Sequence, residues 1–190
     1  KGVFKIVRYL IFFLFFFFCS KLYALPKNEI KNKLEKTNSV YFEFIQKINN
    51  KVEKGECKLL YPKKILCKYN DIYEKVMVSN GRSLLINSKK IKNYLIYKLK
   101  DTPLNLILDK SFLLKKIDEV QNIEENIQNY YFKINHNNSL ITIFFDKESY
   151  DIKGWTTKDI YQNSVETILL NVETNLMIDD RIFRIQKYIN

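Results

Sequence analysis

The stretch VYFEFIQKI at residues 40–48 marks the point where the apolar pattern of this 190-residue chain changes its period. Phe42 and Phe44 lie on one face of an extended segment, and the charged Glu43 and Lys47 lie on the other. Strict alternation over this length is typical of a strand with one buried face. We therefore predict a first strand here, with its two phenylalanines pointing inward.

The segment just before it, PKNEIKNKLEKTNS (26–39), has a helical period instead. Pro26 suits the first turn of a helix. Ile30 and Leu34 share one face, and most of the lysines lie elsewhere. These features predict an amphipathic helix that leads into the first strand.

Strand patterns then recur in hairpin order, and Asn80-Gly81 is the strongest hairpin signal among them. The run DTPLNLILDKSFLLKKI (101–117) interrupts the strands as a helical insertion, in which Thr102 can cap a helix and Pro103 can open it. The predicted later strands are GECKLLY (55–61), KILCKY (64–69), YEKVMVS (73–79), RSLLINS (82–88), KNYLIYKL (92–99), IQNYYFKIN (127–135), SLITIFFD (139–146), YDIKGWTTKDI (150–160), SVETILLNV (164–172) and a short closing IFRI (182–185).

This order of elements predicts a mainly β protein with helices (α+β), built on one strongly curved antiparallel sheet of about ten strands with the helices on one side. Several strands are apolar on both faces, as at 140–145 and 168–170. Two interpretations follow, and both stay open at this point. One is a filled sandwich core with edge contacts, and the other is a half-closed barrel around an apolar cavity.

Residues 1–24 have the pattern of a secretory signal peptide, which leaves one domain at 25–190. Basic residues precede an apolar run from Tyr9 to Cys19, and Ala24 offers a small residue for cleavage. The run is too short for a bilayer, which needs about 20 apolar residues. A transmembrane anchor and a lipid-modified Cys19 are the alternatives.

The composition excludes several function classes. The formal net charge is +11, but the lysines never cluster with aromatic residues in a recognisable nucleic-acid-binding motif. We interpret them as a solvated surface with some attraction to anionic lipid headgroups. The single histidine, His136, lies in the turn-like NHNN, and Asp179-Asp180 is a solvated pair at a turn. Neither a phosphate-binding glycine loop nor a nucleophile elbow is present, so we expect no enzyme, metal or cofactor.

Cys57 and Cys67 flank a turn centred on Pro62 and would lie directly opposite each other on neighbouring strands. Opposed residues of antiparallel strands have Cα atoms roughly 4.5–5.5 Å apart, within the range that a disulfide accepts. A zinc site needs about four ligands, and a redox couple uses a two-residue spacing. The pair is therefore predicted to be a structural disulfide, unless a bulge in the turn shifts the register.

The order of motifs resembles the periplasmic outer-membrane lipoprotein carrier (LolA-type) family over essentially the whole mature chain. The residues that carry the resemblance are Phe42-Glu43-Phe44-Ile45-Gln46, Gly55, Tyr61-Pro62-Lys63-Lys64, Val78-Ser79-Asn80-Gly81, Tyr97, Thr102-Pro103-Leu104, Trp155, Asp159 and Phe183. One departure concerns Tyr61, which stands where many members have an arginine that helps to hold a helical lid closed.

The resemblance implies an incomplete antiparallel barrel with a helical lid over an apolar cavity. It further implies a monomeric periplasmic carrier for lipoprotein acyl chains, which does not bind nucleic acid. Such a carrier is loaded by an inner-membrane ABC-type lipoprotein-releasing transporter and unloaded at an outer-membrane lipoprotein receptor, where one exists. The expected cavity wall consists of Phe42, Phe44, Leu59, Ile65, Val76, Val78, Leu84, Ile86, Phe132, Phe144 and Trp155. The expected lid consists of Pro103, Leu104, Ile107, Leu108 and Phe112.

Two other functions fit the same sequence. One is a membrane-anchored receptor or lipid-binding envelope sensor of the same fold, which a mature N-terminus at Cys19 would support. The other is an envelope scaffold that transports nothing and has a filled core.

Overall fold

The computed structural model describes residues 26–121, 123–136, 139–159 and 162–189. The predicted signal peptide at 1–24, with Cys19 in it, lies outside the described residues. Within the described residues, no helix is both long and apolar enough to cross a membrane.

The described part of the chain forms one sheet of eleven strands and three α-helices. The helices are α1 (Pro26–Lys36), α2 (Leu104–Leu108) and α3 (Lys110–Glu119). The strands are β1 (Ser39–Ile48), β2 (Lys51–Leu60), β3 (Lys64–Tyr69), β4 (Lys75–Asn80), β5 (Ser83–Ser88), β6 (Asn93–Lys98), β7 (Glu124–Glu125), β8 (Asn129–His136), β9 (Ser139–Asp146), β10 (Ile152–Lys158) and β11 (Ser164–Thr174). Short 3-10 turns lie at Lys89–Ile91, Leu99–Asp101, Asp180–Phe183 and Ile185–Tyr188.

The sheet is antiparallel throughout, and the strand order is β6-β5-β4-β3-β2-β1-β11-β10-β9-β8-β7. The chain starts at the centre with β1, meanders outward to β6, passes through α2 and α3, and returns from β7 to β11 beside β1. The sheet therefore keeps two edges, β6 and β7, and does not close into a barrel. This confirms the predicted curved antiparallel sheet with helices, in the form of an open half-barrel.

Two irregularities help the sheet to bend. The register shifts between Tyr41 and Glu43 in the pairing of β1 with β11, and again between Ile152 and Gly154 in the pairing of β10 with β9. Such bulges bend a strand and increase its twist. At Gly55 a Cβ atom would lie 2.8 Å from the Phe44 ring, so only glycine allows this close approach.

The helices lie on the concave side, where α1 packs against α3. The predicted single helix over 101–117 is in fact two helices with a break at Asp109. The Asp109 backbone is extended, and its carboxylate accepts a hydrogen bond from the Phe112 amide at 3.1 Å. Asp109 is thus the N-cap of α3. The prediction that Thr102 caps the helix is wrong, because its hydroxyl donates to the Leu99 carbonyl at 2.8 Å.

The outer face of β3, β4 and β5 carries a second apolar cluster. Its members are Leu66, Val76, Val78 and Leu85 from the strands, together with Phe183 and Ile185 from the C-terminal segment. The predicted closing strand IFRI is therefore wrong, since these residues lie in 3-10 turns across the outer face. These C-terminal residues pair with no strand of the sheet. They cover the apolar side chains on the outer face of β3, β4 and β5.

Cys57 and Cys67 form a disulfide, as predicted. The two residues are direct partners in the β2–β3 ladder, with Cα atoms 4.1 Å apart. Both are buried on the concave side of the sheet. The β2–β3 hairpin is thus held both by the hydrogen bonds between its strands and by the disulfide.

Replacing both cysteines with alanine should lower the free energy of unfolding by roughly 2–3 kcal/mol, because the unfolded chain regains the freedom of a short closed loop. Urea unfolding with and without reductant measures this. Reductant should destabilise the wild type and leave the Cys57→Ala/Cys67→Ala variant unchanged. Equal stability of the two proteins under oxidising conditions would show that the link contributes nothing to the fold.

Candidate functional site

A cavity of about 330 Å³ lies between the concave face of the sheet and α2. Its wall is largely apolar and comes from both halves of the sheet. The apolar, aromatic and sulfur-bearing side chains that line it are Phe42, Phe44, Ile48, Cys57, Ile65, Cys67, Tyr69, Met77, Leu84, Ile86, Tyr97, Pro103, Leu104, Ile107, Trp155 and Val165. The volume falls at the lower end of the range of small-molecule sites.

Strand alternation explains the wall. Phe42 and Phe44 point into the cavity from β1, because residues two apart share a face. The Phe42 ring meets the Trp155 ring edge-on, with centroids 6.2 Å apart, and the Phe44 ring meets the Tyr69 ring in the same way at 5.0 Å. These edge-to-face pairs hold the side chains of β1 against β10 on one side and β3 on the other.

One end of the cavity is polar. The Glu53 carboxylate is buried there and accepts hydrogen bonds from Lys75 Nζ and Lys51 Nζ, each at 2.6 Å. Lys75 Nζ also lies 3.8 Å from the centre of the Tyr69 ring. Gln46 Nε2 donates to Thr167 Oγ1 at 3.0 Å nearby. This end is formed where β1 and β3 end and where β2 and β4 begin.

Burial of Glu53 opposes its ionisation, but the hydrogen bonds from Lys51 and Lys75 outweigh that effect, so its pKa lies below the ordinary value. The same contact with Glu53 raises the pKa of Lys51. Burial raises the pKa of Tyr69, which therefore stays neutral. The polar end thus carries fixed charge at neutral pH, whereas the deeper wall is uncharged. In the described part of the chain, no group of His, Cys, Asp and Glu could hold a metal ion.

The lid is attached to the β2–β3 turn. The Lys63 amide donates to the Leu108 carbonyl at 3.0 Å, and Lys63 Nζ lies 3.0 Å from the Asp109 carboxylate. Lys110 Nζ donates to the Thr37 carbonyl at 3.0 Å and lies 5.6 Å from the centre of the Tyr61 ring. Lys63 and Lys110 thus hold the break between α2 and α3 in place. Tyr61 stands where many family members have an arginine, and here its ring contacts the ammonium group of Lys110.

The structure brings most of the predicted site together. Six of the predicted wall residues line the cavity: Phe42, Phe44, Ile65, Leu84, Ile86 and Trp155. Three predicted lid residues, Pro103, Leu104 and Ile107, also line it. Four others belong to the packed core on the same side and do not reach the cavity: Leu59, Phe132, Leu108 and Phe112.

Three predicted wall residues point the other way. Val76 and Val78 lie on the outer face beneath Phe183, and Met77 between them lines the cavity. Alternation in β4 favours the wrong face, because Val76 and Val78 are more apolar than Lys75 and Met77, which share the inner face. Phe144 also lies outside, where its ring centre is 5.7 Å from that of Tyr131 and its edge rests on Gly154.

The sequence prediction missed the polar end altogether. Glu53, Tyr69 and Lys75 belong to three consecutive strands, β2, β3 and β4, and come together only when these strands pair. The only local signal was that Glu53 and Cys57 share one face of β2. A charged residue in an inward position indicates either an oppositely charged residue beside it or a site that water can reach. Here Lys51 and Lys75 supply the opposite charge.

A protein-family model described as outer membrane lipoprotein carrier protein LolA matches residues 35–186. No curated protein matches the chain.

Two solved structures share its architecture. An uncharacterized conserved protein from Thermus thermophilus is 7% identical with a TM-score of 0.53, over 84% of this chain and 94% of that one. A Vibrio parahaemolyticus domain assigned to outer membrane lipoprotein sorting is 10% identical with a TM-score of 0.50, over 87% of this chain and 97% of that one. At such low identity the likeness concerns the fold alone, and it supports the open half-barrel.

Glu53→Gln should lower the free energy of unfolding at pH 7 by roughly 1–3 kcal/mol, because two charge-assisted hydrogen bonds are weakened. The pKa of Glu53 is lowered only in the folded state, so its carboxylate contributes fully to the free energy of unfolding when the pH is above the ordinary glutamate pKa. This stabilisation is lost as the pH falls through the folded-state pKa. Urea unfolding of wild type and variant should therefore differ at pH 7, begin to converge below about pH 4.3, and coincide only once the pH is below the lowered folded-state pKa of Glu53.

Glu173→Gln, an exposed carboxylate on β11, is the control and should match the wild type at every pH. A gap between wild type and Glu53→Gln that persists unchanged into acid would show that the effect of Glu53 is one of shape, not of charge.

The ion pair and the helix cap at Asp109 can be separated. Asp109→Asn keeps a side-chain oxygen for the Phe112 amide and loses the charge that faces Lys63, so it should lower the free energy of unfolding by at most about 1 kcal/mol. Asp109→Ala also loses the helix cap and should lower the free energy of unfolding by about 1 kcal/mol more. Thermal unfolding of both variants measures the difference. Equal losses in the two variants would mean that the ion pair, and not the cap, holds the break.

Proposed function

The chain belongs to the outer membrane lipoprotein carrier (LolA) family, and on that premise we propose that it carries lipoproteins across the periplasm from the inner to the outer membrane. Proteins of this family are periplasmic or envelope-associated, and they bind or carry ligands instead of catalysing reactions. The observation that carries the proposal is the largely apolar cavity beneath α2, which opens toward a charged end. It is suited to shield acyl chains while the protein part of the cargo stays in water.

The energetics suit a carrier. Each methylene taken out of water contributes about 0.8 kcal/mol, so roughly ten methylenes would contribute about 8 kcal/mol. Part of that free energy is offset by the ordering of the chain and by movement of the lid. The resulting affinity keeps the cargo bound in water and still allows its transfer to a site that shields it better.

The size of the cavity implies that the lid moves. At about 330 Å³ it lies near the lower limit for a drug-sized ligand, whereas a lipoprotein carries several acyl chains. Displacement of α2 would extend the cavity without breaking the sheet. The helix has five residues, and the ion pair that fastens its end is partly exposed, a kind of contact that costs about 1 kcal/mol or less to break.

The partners follow from the same proposal. Loading requires a membrane protein that releases lipoproteins from the inner membrane, which we take to be an ABC-type transporter. Unloading requires an acceptor at the outer membrane, which is a lipoprotein receptor where one exists. A carrier that works alone in this way is expected to be a monomer. The cavity disfavours the alternative of a scaffold with a filled core.

Trp155 provides the direct test. It is the single tryptophan of the chain, and its side chain lines the cavity. Titration with a long-chain acyl ligand should shift its emission in a saturable way, and a short-chain analogue should compete weakly. Absence of any shift at saturating ligand would contradict the proposal that acyl chains enter this cavity.

Two neighbouring residues on β5 offer a matched pair of variants. Ile86 lines the cavity, and Leu85 is fully buried beneath Phe183 on the other face. Ile86→Asp should stay folded, because water can reach the new carboxylate, and should lose most of its acyl binding. Leu85→Asp buries an unpaired charge and should lose several kcal/mol of stability.

Thermal unfolding measured beside the acyl titration separates the two outcomes. A folded Ile86→Asp variant that binds the ligand as the wild type does would place the acyl site elsewhere. An Ile86→Asp variant that unfolds like Leu85→Asp would support a packed interior instead.

A further inference from the structure

Two turns at the polar end of the cavity expose apolar side chains to solvent. The first turn joins β3 to β4 and includes Ile72, which is 72% exposed. The second joins β5 to β6 and includes Ile91, which is 56% exposed. Tyr73 and Tyr94 beside them are each about half exposed. We call these two turns, residues 70–74 and 89–94, the rim.

The two turns of the rim form one surface. The Lys90 amide donates to the Tyr73 carbonyl at 3.4 Å, and Lys90 Nζ lies 3.6 Å from the Glu74 carboxylate. The adjoining strand ends are also paired, since Lys75 is opposite Ser88 in the β4–β5 ladder. Exposed apolar residues of the two turns therefore lie side by side at the same end of the sheet.

The rim also borders the cavity. Tyr69 and Lys75, which flank the first turn, both line the cavity, and so does Ile86, just before the second turn. A surface that sits on the rim would thus face the polar end of the cavity.

The charge of this end is mainly positive. Lys89 and Lys92 lie on the second turn and are exposed, and Lys51 extends from β2 with 71% of its side chain exposed. Of the acidic groups nearby, Glu74 pairs with Lys90 and Glu53 pairs with Lys75. Asp71 accepts hydrogen bonds from the Tyr73 and Lys75 amides. The lysines at this end, Lys51, Lys75, Lys89, Lys90 and Lys92, outnumber these three carboxylates. Apolar tips surrounded by lysines are the combination that anionic lipid surfaces attract.

We propose that the rim docks on a bilayer surface that contains anionic phospholipid, with Ile72 and Ile91 inserted and the polar end of the cavity facing the lipid. Tyrosines such as Tyr73 and Tyr94 suit the headgroup level. The adjoining edge strand β6 exposes Leu95 and Ile96, each about half exposed. Lys92 just before this strand and Lys98 at its far end carry charges that oppose edge-to-edge pairing, so a second copy of this chain is a poorer occupant than an anionic bilayer. The proposal does not depend on what the cavity carries.

Vesicle co-sedimentation tests the surface. The full chain is incubated with phosphatidylcholine vesicles with and without about a third of phosphatidylglycerol. Binding should require the anionic lipid and should weaken in high salt. Lys89→Gln/Lys92→Gln should lower the partition coefficient by about tenfold or more, and Ile72→Ser/Ile91→Ser should lower it severalfold.

Matched controls lie elsewhere on the surface. Leu176→Ser/Met177→Ser removes exposed apolar residues outside the rim, at the opposite end of the sheet, and Lys58→Gln/Lys68→Gln removes exposed charges on the outer face. Both should bind vesicles as the wild type does. All variants keep the same N-terminus, so any binding through residues 1–24 is common to them.

A tryptophan reporter gives a second, site-specific readout. In a Trp155→Phe background, emission from Ile72→Trp should shift to the blue on anionic vesicles, and emission from Met177→Trp should not. The proposal is overturned if the chain ignores anionic vesicles, if the rim variants bind as the wild type does, or if the Ile72→Trp emission does not move. A dimer in light scattering that the rim substitutions dissociate would also overturn it, in favour of contact between copies.

Discussion

Pairing of β1 on both sides is the constraint on which the rest of this structure depends. Its hydrogen bonds join it to β2, which follows it in the chain, and to β11, the last strand. The chain therefore has to leave the centre of the sheet, run to one edge, cross to the other and come back. The segment that crosses from one edge to the other lies on the concave side of the sheet. For this reason α2 and α3 cover that side, and α2 lines the cavity.

The concave face of so wide a sheet is larger than the helices can fill. Around Phe132 and Phe145 the core is closely packed, with ring centres 5.4 Å apart, and α1 and α3 cover this region. Farther along the same face only the five-residue α2 is available, and a cavity is left. The C-terminal segment covers part of the outer face with Phe183. Filled and hollow regions thus occur in one molecule. The single open sheet agrees with the half-barrel interpretation, and the filled region lies between this sheet and the helices, not between two sheets.

Polarity changes along the length of the cavity. Deep inside, the wall consists of aromatic and aliphatic side chains with the disulfide among them. At the polar end the buried Glu53 keeps its charge because Lys51 and Lys75 donate hydrogen bonds to its carboxylate. A ligand with an apolar tail and a polar head would find both surroundings in the right order. Under the proposed carrier function, exclusion of water by the cavity wall would be enough to hold such a ligand.

Much of the architecture could be predicted from local sequence, because strand alternation has a period of two and a hairpin brings opposite residues together. That is why the inner position of Phe42 and Phe44 and the pairing of Cys57 with Cys67 could be worked out from the order of the residues alone. Strong alternation in β1 indicates its inner face, and a turn centred on Pro62 pairs residues 57 and 67 as long as the turn contains no bulge, a condition that the folded hairpin meets.

Tertiary structure alone decided the rest. In β4 the more apolar face is the outer one, and burial of Val76 and Val78 there depends on a distant segment that contains Phe183. The break at Asp109 depends on Lys63 in the β2–β3 turn, and the charge of Glu53 depends on a lysine 22 residues away. Local propensity is set by neighbours in the chain, whereas burial and electrostatic pairing are set by neighbours in space, and only the folded sheet determines which residues those are.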